Sequence, residues 1–391
     1  MTRRAIHRIY LLLVVLSLAV AASCAEPTPT PTPTPLPPLP TAVPRTPVPL
    51  SPRAITAANA KDVQLLACSE SMGWIYGFSP DGSLLVASCA GGLCLYDTHT
   101  MAQVRHLHRD ATADDIVLSA AFSPDGSLLG TGTAGGKVWL WRVADGSVER
   151  MLEMRDRAFW AVTFSADSKE VLASDRTPGV DAWRVSDGSL SRSFAGPTAT
   201  PGSFEVRIYR TELAFSPDGE LLASAQKDTL LIWRMQDGSI LRTLHAPWAP
   251  IYGLAFSADG RLLAAVTGQG TAVWDLQQLT VEPLRTLGAY GMAVAFSPGG
   301  RLLAGTGYRS ITLHQVGNGA WLRTVEGEYP DPRVQALAFS PDGSVVAASS
   351  PDSGVTCFWG LPDPSRPTRT PSPTPPPPSP TPTRRSPTRW Q

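Results

Sequence analysis

A seven-bladed β-propeller, an all-β ring of four-stranded antiparallel blades, is the fold class that the sequence predicts, and two observations lead to it. First, the motif Phe-Ser-Pro-Asp-Gly or a close variant occurs seven times, with its phenylalanines 40 to 51 residues apart. A period near forty residues made of short strands is typical of propeller blades. Second, the motif lies between two short apolar stretches and places Ser, Pro and Gly where a type I turn favours them, so each copy is predicted to be a hairpin. The motifs begin at Phe78, Phe122, Phe164, Phe215, Phe256, Phe296 and Phe339.

The fourth copy shows the four strands expected of each blade. Strand a is Thr211–Phe215, strand b is Leu221–Ala225, strand c is Leu230–Arg234 and strand d is Ser239–Leu244. An Asp-Gly turn, which is typical of hairpins, joins strands c and d. Strand c ends on an aromatic residue in six copies, and we expect these rings to fill the space between neighbouring blades. They are Tyr96, Trp141, Trp183, Trp233, Trp274 and Trp359, and His314 takes this place in the remaining copy.

The order of these elements resembles the bacterial WD-repeat β-propeller. The resemblance covers about Ile55–Gly360 and rests on F-S-P-D-G, then L-L-A-S, then a polar turn and an apolar strand ending in Trp. It implies a binding face built from the d–a loops and the first residues of strand a. The Gly-His dipeptide usual before strand a is missing from every copy, and the Asp usual in the b–c turn is clear only at Asp228. We therefore expect blade stability to depend more on apolar packing than on the hydrogen-bond relay of the family.

The two ends of the repeat region predict how the ring closes. The last copy has nothing strand-like after Trp359, because prolines begin at Pro362 and cannot donate ladder hydrogen bonds. Val63–Cys68 precedes the first strand a and has no blade of its own. The resemblance implies that such an N-terminal strand completes the last blade, since an open ring would leave sheet edges in water.

Residues 1–23 have the composition of an export signal. Three arginines precede the apolar run Ile9–Ala22, whose fourteen residues are few for a membrane span. Ala21-Ala22-Ser23-Cys24 resembles a bacterial lipoprotein cleavage box, although Leu is usual where Ala21 stands. This resemblance implies that Cys24 is lipidated. Cleavage by ordinary signal peptidase, which gives a secreted protein, and an uncleaved anchor are the alternatives.

Two proline-rich segments flank the repeats. Of the 38 prolines, 24 lie in Pro27–Pro52 and Pro362–Pro387. Residues 24–54 are predicted to be an extended polyproline tether that leads from a membrane to the propeller at residues 55–360. Residues 361–391 are predicted to be a disordered tail rich in Pro and Arg. Weak attachment of this tail to anionic polymers or lipid headgroups, and O-glycosylation, remain open.

Cys89 and Cys94 form the stronger of two candidate disulfides, since an exported domain can keep such bonds. A two-residue turn at Gly91-Gly92 would place the two cysteines directly opposite each other on strands b and c. The alternative is that they pack as two small apolar residues without a bond.

Cys68 and Cys357 form the weaker candidate pair. They are predicted to lie on neighbouring strands of the closing blade. The register copied from the fourth repeat, however, places Cys357 opposite Leu65.

The sequence contains no recognisable catalytic or cofactor site. The six histidines are scattered, and His106-Leu107-His108 without a further clustered ligand is a weak metal signal. No glycine-rich phosphate loop opens a helix, and no nucleophile elbow is present. The repeated aspartates are explained as turn formers. We therefore expect no enzyme, no bound metal and no cofactor.

The candidate partner-binding residues follow from the implied binding face. Counting back four residues from each motif phenylalanine gives the place where strand a emerges from its loop, and the first copy is too short to align. The alternative is that the loops fold over these side chains, which then pack as core. The candidates are Leu118, Trp160, Thr211, Tyr252, Met292 and Gln335, with Trp248 added from the d–a loop before Tyr252.

These observations favour a non-catalytic scaffold that binds a protein or peptide at the cell envelope. It is expected to be a monomer that reaches the membrane through its lipid anchor. The formal net charge of zero gives no long-range attraction to nucleic acid. A carbohydrate- or wall-binding propeller is the main alternative. A propeller enzyme is the weaker one, because it would need convergent polar residues at the inner ends of the a strands.

Overall fold

The computed structural model describes residues 53–362 except for positions 91, 108–115, 155–157, 176–179, 195–212, 227, 249, 279, 289–290, 330–332 and 351–353. The predicted export signal, the predicted lipidation site Cys24, most of the predicted tether and all but the first residues of the predicted tail lie outside the described residues. In the described part of the chain, no helix has the length and apolar character needed to cross a bilayer.

The described strands form seven four-stranded sheets, which are the blades of the propeller. The first strand, β1 (Gln64–Ser69), follows a 3₁₀ turn at Ala60–Asp62 and belongs to the last blade. Blades 1 to 3 contain β2 (Ile75–Phe78), β3 (Leu84–Cys89), β4 (Gly92–Asp97), β5 (Gln103–Leu107), β6 (Val117–Phe122), β7 (Leu128–Thr133), β8 (Lys137–Arg142), β9 (Val148–Glu153), β10 (Ala161–Phe164), β11 (Glu170–Ser174), β12 (Val180–Arg184) and β13 (Leu190–Phe194). Blades 4 to 6 contain β14 (Leu213–Phe215), β15 (Leu221–Gln226), β16 (Thr229–Arg234), β17 (Ile240–His245), β18 (Ile251–Phe256), β19 (Leu262–Thr267), β20 (Thr271–Asp275), β21 (Arg285–Leu287), β22 (Val294–Phe296), β23 (Leu302–Thr306), β24 (Ser310–Gln315) and β25 (Trp321–Glu326). Blade 7 contains β26 (Ala336–Phe339), β27 (Val345–Ser350) and β28 (Val355–Gly360) together with β1.

Blade 7 is completed by the N-terminal strand. Its strands are hydrogen-bonded in the order β1-β28-β27-β26, so the outermost strand comes from the start of the repeat region and the other three from its end. The backbone N–H of Ile55 adds a hydrogen bond of 2.8 Å to the carbonyl oxygen of Gly343 in the same blade. The predicted seven-bladed ring of four-stranded antiparallel blades, closed by the N-terminal strand, is confirmed.

The register of this closing strand differs from the predicted one. Leu65 pairs with Trp359, and Cys357 pairs with Cys68 rather than with Leu65. A β-bulge between Leu65 and Ala67 accounts for one position of this difference, since without its extra residue Cys357 would lie opposite Ala67. The same bulge stands before Trp233 in blade 4, where Ile240 has the place of Leu65, so the observed register is the one that blade 4 itself adopts.

The Phe-Ser-Pro-Asp-Gly motif forms the predicted a–b turn. In blade 1 the N–H of Gly82 donates to the carbonyl oxygen of Ser79 at 2.8 Å, and Gly82 has φ of +75°, a conformation that favours glycine. The Ser79 hydroxyl donates to the Asp81 carboxylate at 2.6 Å and accepts the N–H of Leu84 at 2.9 Å. One serine therefore ties together the turn and the start of the next strand.

The hydrophobic core lies between neighbouring blades, where the predicted c-strand aromatics are found. Each of their side chains is 7% exposed or less, and His314 at the same position of blade 6 is 3% exposed. The rings pack against the preceding blade; Trp183 of blade 3, for example, meets Phe159 edge-on at 5.8 Å between ring centroids. The prediction that these residues fill the space between blades is confirmed.

A second contact between blades was not predicted. An arginine on strand d of one blade donates to backbone carbonyl oxygens in the c–d turn of the next. Arg105 reaches Ala144 at 2.6 Å, Arg192 reaches Met235 at 3.0 Å and Arg242 reaches Gln278. Arg150 donates to both Ser186 and Asp187, at 3.0 and 3.2 Å. We call this contact the arginine latch.

Candidate functional site

The first residues of all seven a strands surround a central cavity of about 280 Å³. We call the side of the ring that carries the d–a and b–c connections the upper face, and this is where the a strands begin. The residue two before the motif phenylalanine contributes to the wall in every blade. These residues are Tyr76, Ala120, Val162, Leu213, Leu254, Val294 and Leu337.

Most side chains of this wall are apolar, while polar atoms supply the larger part of its open surface. Among the described residues that line the cavity there is no carboxylate, imidazole, thiol, ammonium or guanidinium group. Tyr76 donates its hydroxyl to the carbonyl oxygen of Val117 in the next blade at 3.0 Å, and Ser119 donates to that of Phe159 at 3.2 Å. Those hydroxyl protons are therefore directed at the backbone. The wall fits apolar groups and offers no pair of acid and base.

Two of the predicted partner-binding residues, Leu118 and Trp160, line this cavity. Leu118 is 8% exposed, as the alternative of core packing implies, whereas Trp160 is half-buried. Trp74 occupies the equivalent place in blade 1 and also lines the cavity. The backbone N–H of Trp74 donates to Ser88 Oγ at 2.7 Å, fourteen residues further along the chain. The backbone N–H of Trp160 donates to the carbonyl oxygen of Ser174, which is also fourteen residues further along. Sequence analysis missed Trp74, although simple counting back from Phe78 would have found it.

Trp248 and Tyr252 lie against one turn of blade 5, the b–c turn between β19 and β20. A Cβ atom added at Gly270 would lie 2.7 Å from Trp248, and one added at Gly268 would lie 3.4 Å from Tyr252. Both rings are half-buried, so each covers a glycine with one side and keeps part of its surface open. Tyr252 is the extra residue of a β-bulge, which directs its side chain away from the regular ladder.

The remaining candidates are less clearly grouped. Met292 and Gln335 are half-buried at the starts of their strands and are absent from the cavity wall. Thr211 lies outside the described residues. Tyr308, which sequence analysis missed, is 76% exposed on the upper face in the b–c turn of blade 6. It was missed because only the d–a connections were considered.

Both candidate cysteine pairs are disulfide-bonded in the structure. Cys68 and Cys357 are directly opposed across β1 and β28 with their Cα atoms 4.0 Å apart. Cys89 and Cys94 are also bonded, with a Cα separation of 5.9 Å, which suits a disulfide.

The predicted direct opposition of Cys89 and Cys94 is wrong. Cys89 pairs with Gly92 instead, and Cys94 lies diagonally across on the same face. The register is set by the core, because it places Leu85 opposite Tyr96, as Leu129 stands opposite Trp141 in blade 2. The predicted turn would have moved Tyr96 opposite Ala87.

Comparison with known sequences assigns the repeats. Residues 102–142, 238–275 and 319–359 match the family described as "WD domain, G-beta repeat". Three of the repeats are WD40 repeats. Each matched segment runs from one strand d through the next strand c, so the sequence repeat is offset by one strand from the blade. That offset is why β1 completes blade 7.

Comparison with solved structures agrees on the fold. The chain is similar to the β-propeller domain of Cps50 (Swd1) from Myceliophteria thermophila, with 16% identity and a TM-score of 0.64 over 76% of this chain and 99% of that one. At this identity the likeness shows the fold alone. No curated protein matches the chain significantly. WD40 propellers are typically protein-interaction scaffolds and are generally not catalytic.

Proposed function

We propose that this WD40 propeller is a non-catalytic scaffold that binds a protein or peptide on its upper face. The observation that carries the proposal is the cavity mouth lined mainly by apolar side chains, with the half-buried rings of Trp74 and Trp160 in its wall. Trp248 and Tyr252 extend the aromatic surface onto blade 5. Aromatic side chains held in place by packing are typical anchors of protein interfaces, because little further entropy is lost when they bind.

The lining also supports the non-catalytic part of the proposal. General acid–base catalysis requires a titratable group within hydrogen-bond reach of the substrate. The described residues of the wall supply mainly apolar side chains, and the hydroxyl groups of Tyr76 and Ser119 are already bonded to the backbone. A peptide with a large apolar side chain matches this cavity in chemistry.

The binding face can be tested with two substitutions, Trp160→Ala and Tyr252→Ala. The full-length protein serves as bait in a solubilised envelope extract, the captured protein is identified and purified, and its Kd for each variant is measured. Truncating an anchor residue costs about 2 kcal/mol or more, so each variant should bind at least roughly thirtyfold more weakly. The melting temperature should stay within a few degrees.

Trp321→Ala is the matched control, because Trp321 is 61% exposed on the outer strand β25, away from the cavity. It should bind like wild type. The assigned face is wrong if Trp160→Ala or Tyr252→Ala binds normally, or if either unfolds like a core truncation of roughly 3–5 kcal/mol. Saturable binding to a glycan array without a protein partner would favour the carbohydrate-binding alternative instead.

The setting at the cell envelope is part of the same proposal. It rests on the apolar N-terminal run, the Cys24 box and the proline-rich tether. In a bacterial host that lipidates exported proteins, we expect the chain in the membrane fraction and Cys24→Ala in the soluble fraction. Mass spectrometry of the N-terminal peptide should find an acylated Cys24. An unmodified N-terminus at Ala22 or Glu26 would instead indicate secretion after ordinary cleavage.

A further inference from the structure

Blade 1 brings three metal-ligating side chains together at its upper edge. Cys94 on β4 pairs directly with His106 on β5, and Cys89 at the end of β3 lies diagonally across from Cys94. The two Sγ atoms and a ring nitrogen of His106 lie within 4.8 Å of one another. Within the part of the chain that the structure describes, this is the one such group of three or more ligating residues.

The histidine in this cluster has an unused ring atom. His106 Nε2 is buried, and it makes no hydrogen bond to any described residue. A buried polar atom without a partner is costly and rare in native proteins. Cys94 is fully buried and Cys89 partly exposed, so the cluster is shielded on one side and reachable on the other.

In the oxidised protein the Cys89–Cys94 bond occupies both sulfur atoms. A dithiol reductant breaks the Sγ–Sγ bond by supplying two electrons and two protons, and the reductant is itself oxidised to a disulfide. Two thiols then stand beside His106. Binding of a divalent cation releases the two thiol protons and leaves two thiolates and a neutral imidazole as ligands.

We propose that reduced blade 1 is a metal site in which Cys89, Cys94 and His106 bind Zn²⁺ or a cation of similar softness. Two thiolates and one imidazole are a donor set that Zn²⁺ prefers, and three protein ligands leave a fourth position open. After reduction the two Sγ atoms, 2.02 Å apart in the disulfide, must separate by roughly 1.7 Å to reach their spacing in a tetrahedral site with Zn–S bonds of about 2.3 Å. The disulfide and the metal exclude each other, so the site is redox-dependent.

The position of the cluster gives the redox state a structural consequence. Cys89, Cys94 and Tyr96 belong to the apolar cluster that joins blade 1 to blade 7. This interface lies next to β1, which closes the ring. Exchange of the disulfide for a metal therefore changes the cross-link at one edge of the upper face without opening a blade.

The test uses the full-length, untagged protein, reduced with a phosphine under anaerobic conditions and titrated with Co²⁺ as a spectroscopic substitute for Zn²⁺. We expect one Co²⁺ per chain with thiolate-to-cobalt charge-transfer absorption. The air-oxidised protein should bind none. His106→Gln should weaken the affinity for Co²⁺ by at least about tenfold. Removing a residue that only hydrogen-bonds a metal ligand already weakens metal binding by about this factor, and His106 is itself a proposed ligand.

The second disulfide provides the matched control. The variant with Cys68→Ser and Cys357→Ser keeps the cluster and should bind Co²⁺ like wild type, whereas the variant with Cys89→Ser and Cys94→Ser should lose the charge-transfer band. Circular dichroism and the melting temperature confirm that each variant is folded. The proposal is overturned if reduced wild type binds no Co²⁺, if binding survives Cys89→Ser and Cys94→Ser, or if folded His106→Gln keeps the wild-type affinity.

Discussion

At the scale of single residues, His314 is the exception among the c-strand aromatics. In blades 2 and 4, Trp141 donates its ring N–H to Thr131 and Trp233 donates to Ser224. The equivalent partner position in blade 6 is Gly305, which has no hydroxyl. Neither ring nitrogen of His314 makes a hydrogen bond of regular geometry to a described residue, although the side chain is only 3% exposed. Burial lowers the pKa of His314 below its ordinary value of 6.5, and the nearby backbone of Gly319 opposes this shift only in part.

We expect His314→Phe to raise the free energy of unfolding at neutral pH by about 1 kcal/mol, because it removes buried polar atoms without partners. The wild-type protein should lose stability as the pH falls below 6.5, since the unfolded chain binds the proton more readily than the folded one. His314→Phe should lack this loss. Urea unfolding between pH 7.5 and 5 measures both effects, with the exposed His245→Phe as control. An unchanged pH dependence in His314→Phe would show that another group causes it.

At the scale of the structural element, the a–b turn depends on a serine–aspartate pair. In six blades the serine hydroxyl donates to the aspartate at 2.5 to 2.7 Å. In blade 6 Gly299 stands in place of the aspartate, and among the described residues the Ser297 hydroxyl keeps only the hydrogen bond that it accepts from the Leu302 N–H, at 3.1 Å. Hydrogen bonds from the serine hydroxyl are the main reason that the pKa values of Asp81, Asp125, Asp167 and Asp259 lie below the ordinary value of 3.8.

Gly299→Asp should therefore restore the missing bond. A side chain at Gly299 meets no atom within 4 Å, and the positive φ of this turn belongs to Gly300. We expect a gain of about 1 kcal/mol in the free energy of unfolding, partly from the hydrogen bond and partly from lower entropy of the unfolded chain. The hydrogen-bond part should be present above pH 3.8 and be lost as the pH falls through the lowered pKa of the new carboxylate.

Gly299→Ala is the matched control for that experiment, since it changes the entropy of the unfolded chain without adding an acceptor. Denaturant titrations of both variants at pH 7 and pH 3 separate the two contributions. Equal stabilities of Gly299→Asp and Gly299→Ala at pH 7 would contradict the proposed role of the pair.

The arginine latch belongs to the same scale and shows what sequence analysis missed. The arginine two residues before the last apolar residue of strand d recurs in six of the seven d strands, at Arg105, Arg150, Arg192, Arg242, Arg285 and Arg323. The glycine of the facing c–d turn leaves room for it. A Cβ atom at Gly188 would lie 2.7 Å from Arg150 Cδ. The repeat of this arginine could be seen in the sequence, but its acceptors are backbone oxygens of another blade, which no sequence pattern displays.

At the scale of the whole molecule, local and repeated signals were predictable and single register choices were not. Each a–b turn is specified by five adjacent residues, and the closing strand follows from counting strands. The pairing of Cys68 with Cys357 depends instead on a β-bulge, which recurs next to the c-strand aromatic in blades 1 to 4 and 6 but has no recognisable sequence pattern. The place of Trp248 depends on a glycine of another turn, Gly270, and requires knowledge of distant packing.

The Cys68–Cys357 disulfide is expected to stabilise the folded ring more than the Cys89–Cys94 disulfide does. It joins residues 289 positions apart and covalently fastens β1 to β28, the pair of strands that closes the propeller. Cys89 and Cys94 are only 5 positions apart and cross-link a hairpin that is already formed. In the chain-entropy view of disulfides, the longer loop gives the larger stabilisation of the folded state.

We therefore expect the variant with Cys68→Ser and Cys357→Ser to lose roughly 5–6 kcal/mol of unfolding free energy, against roughly 2 kcal/mol for the variant with Cys89→Ser and Cys94→Ser. Denaturant unfolding of the oxidised proteins measures both losses. Hydrogen exchange should find the amides of β1 and β28 less protected in the first variant only, because opening of the ring begins where its two ends meet. Equal losses in the two variants, or unchanged protection of β1, would show that hydrogen bonds and the packing of Leu65, Val63 and Trp359 close the ring without help from the disulfide.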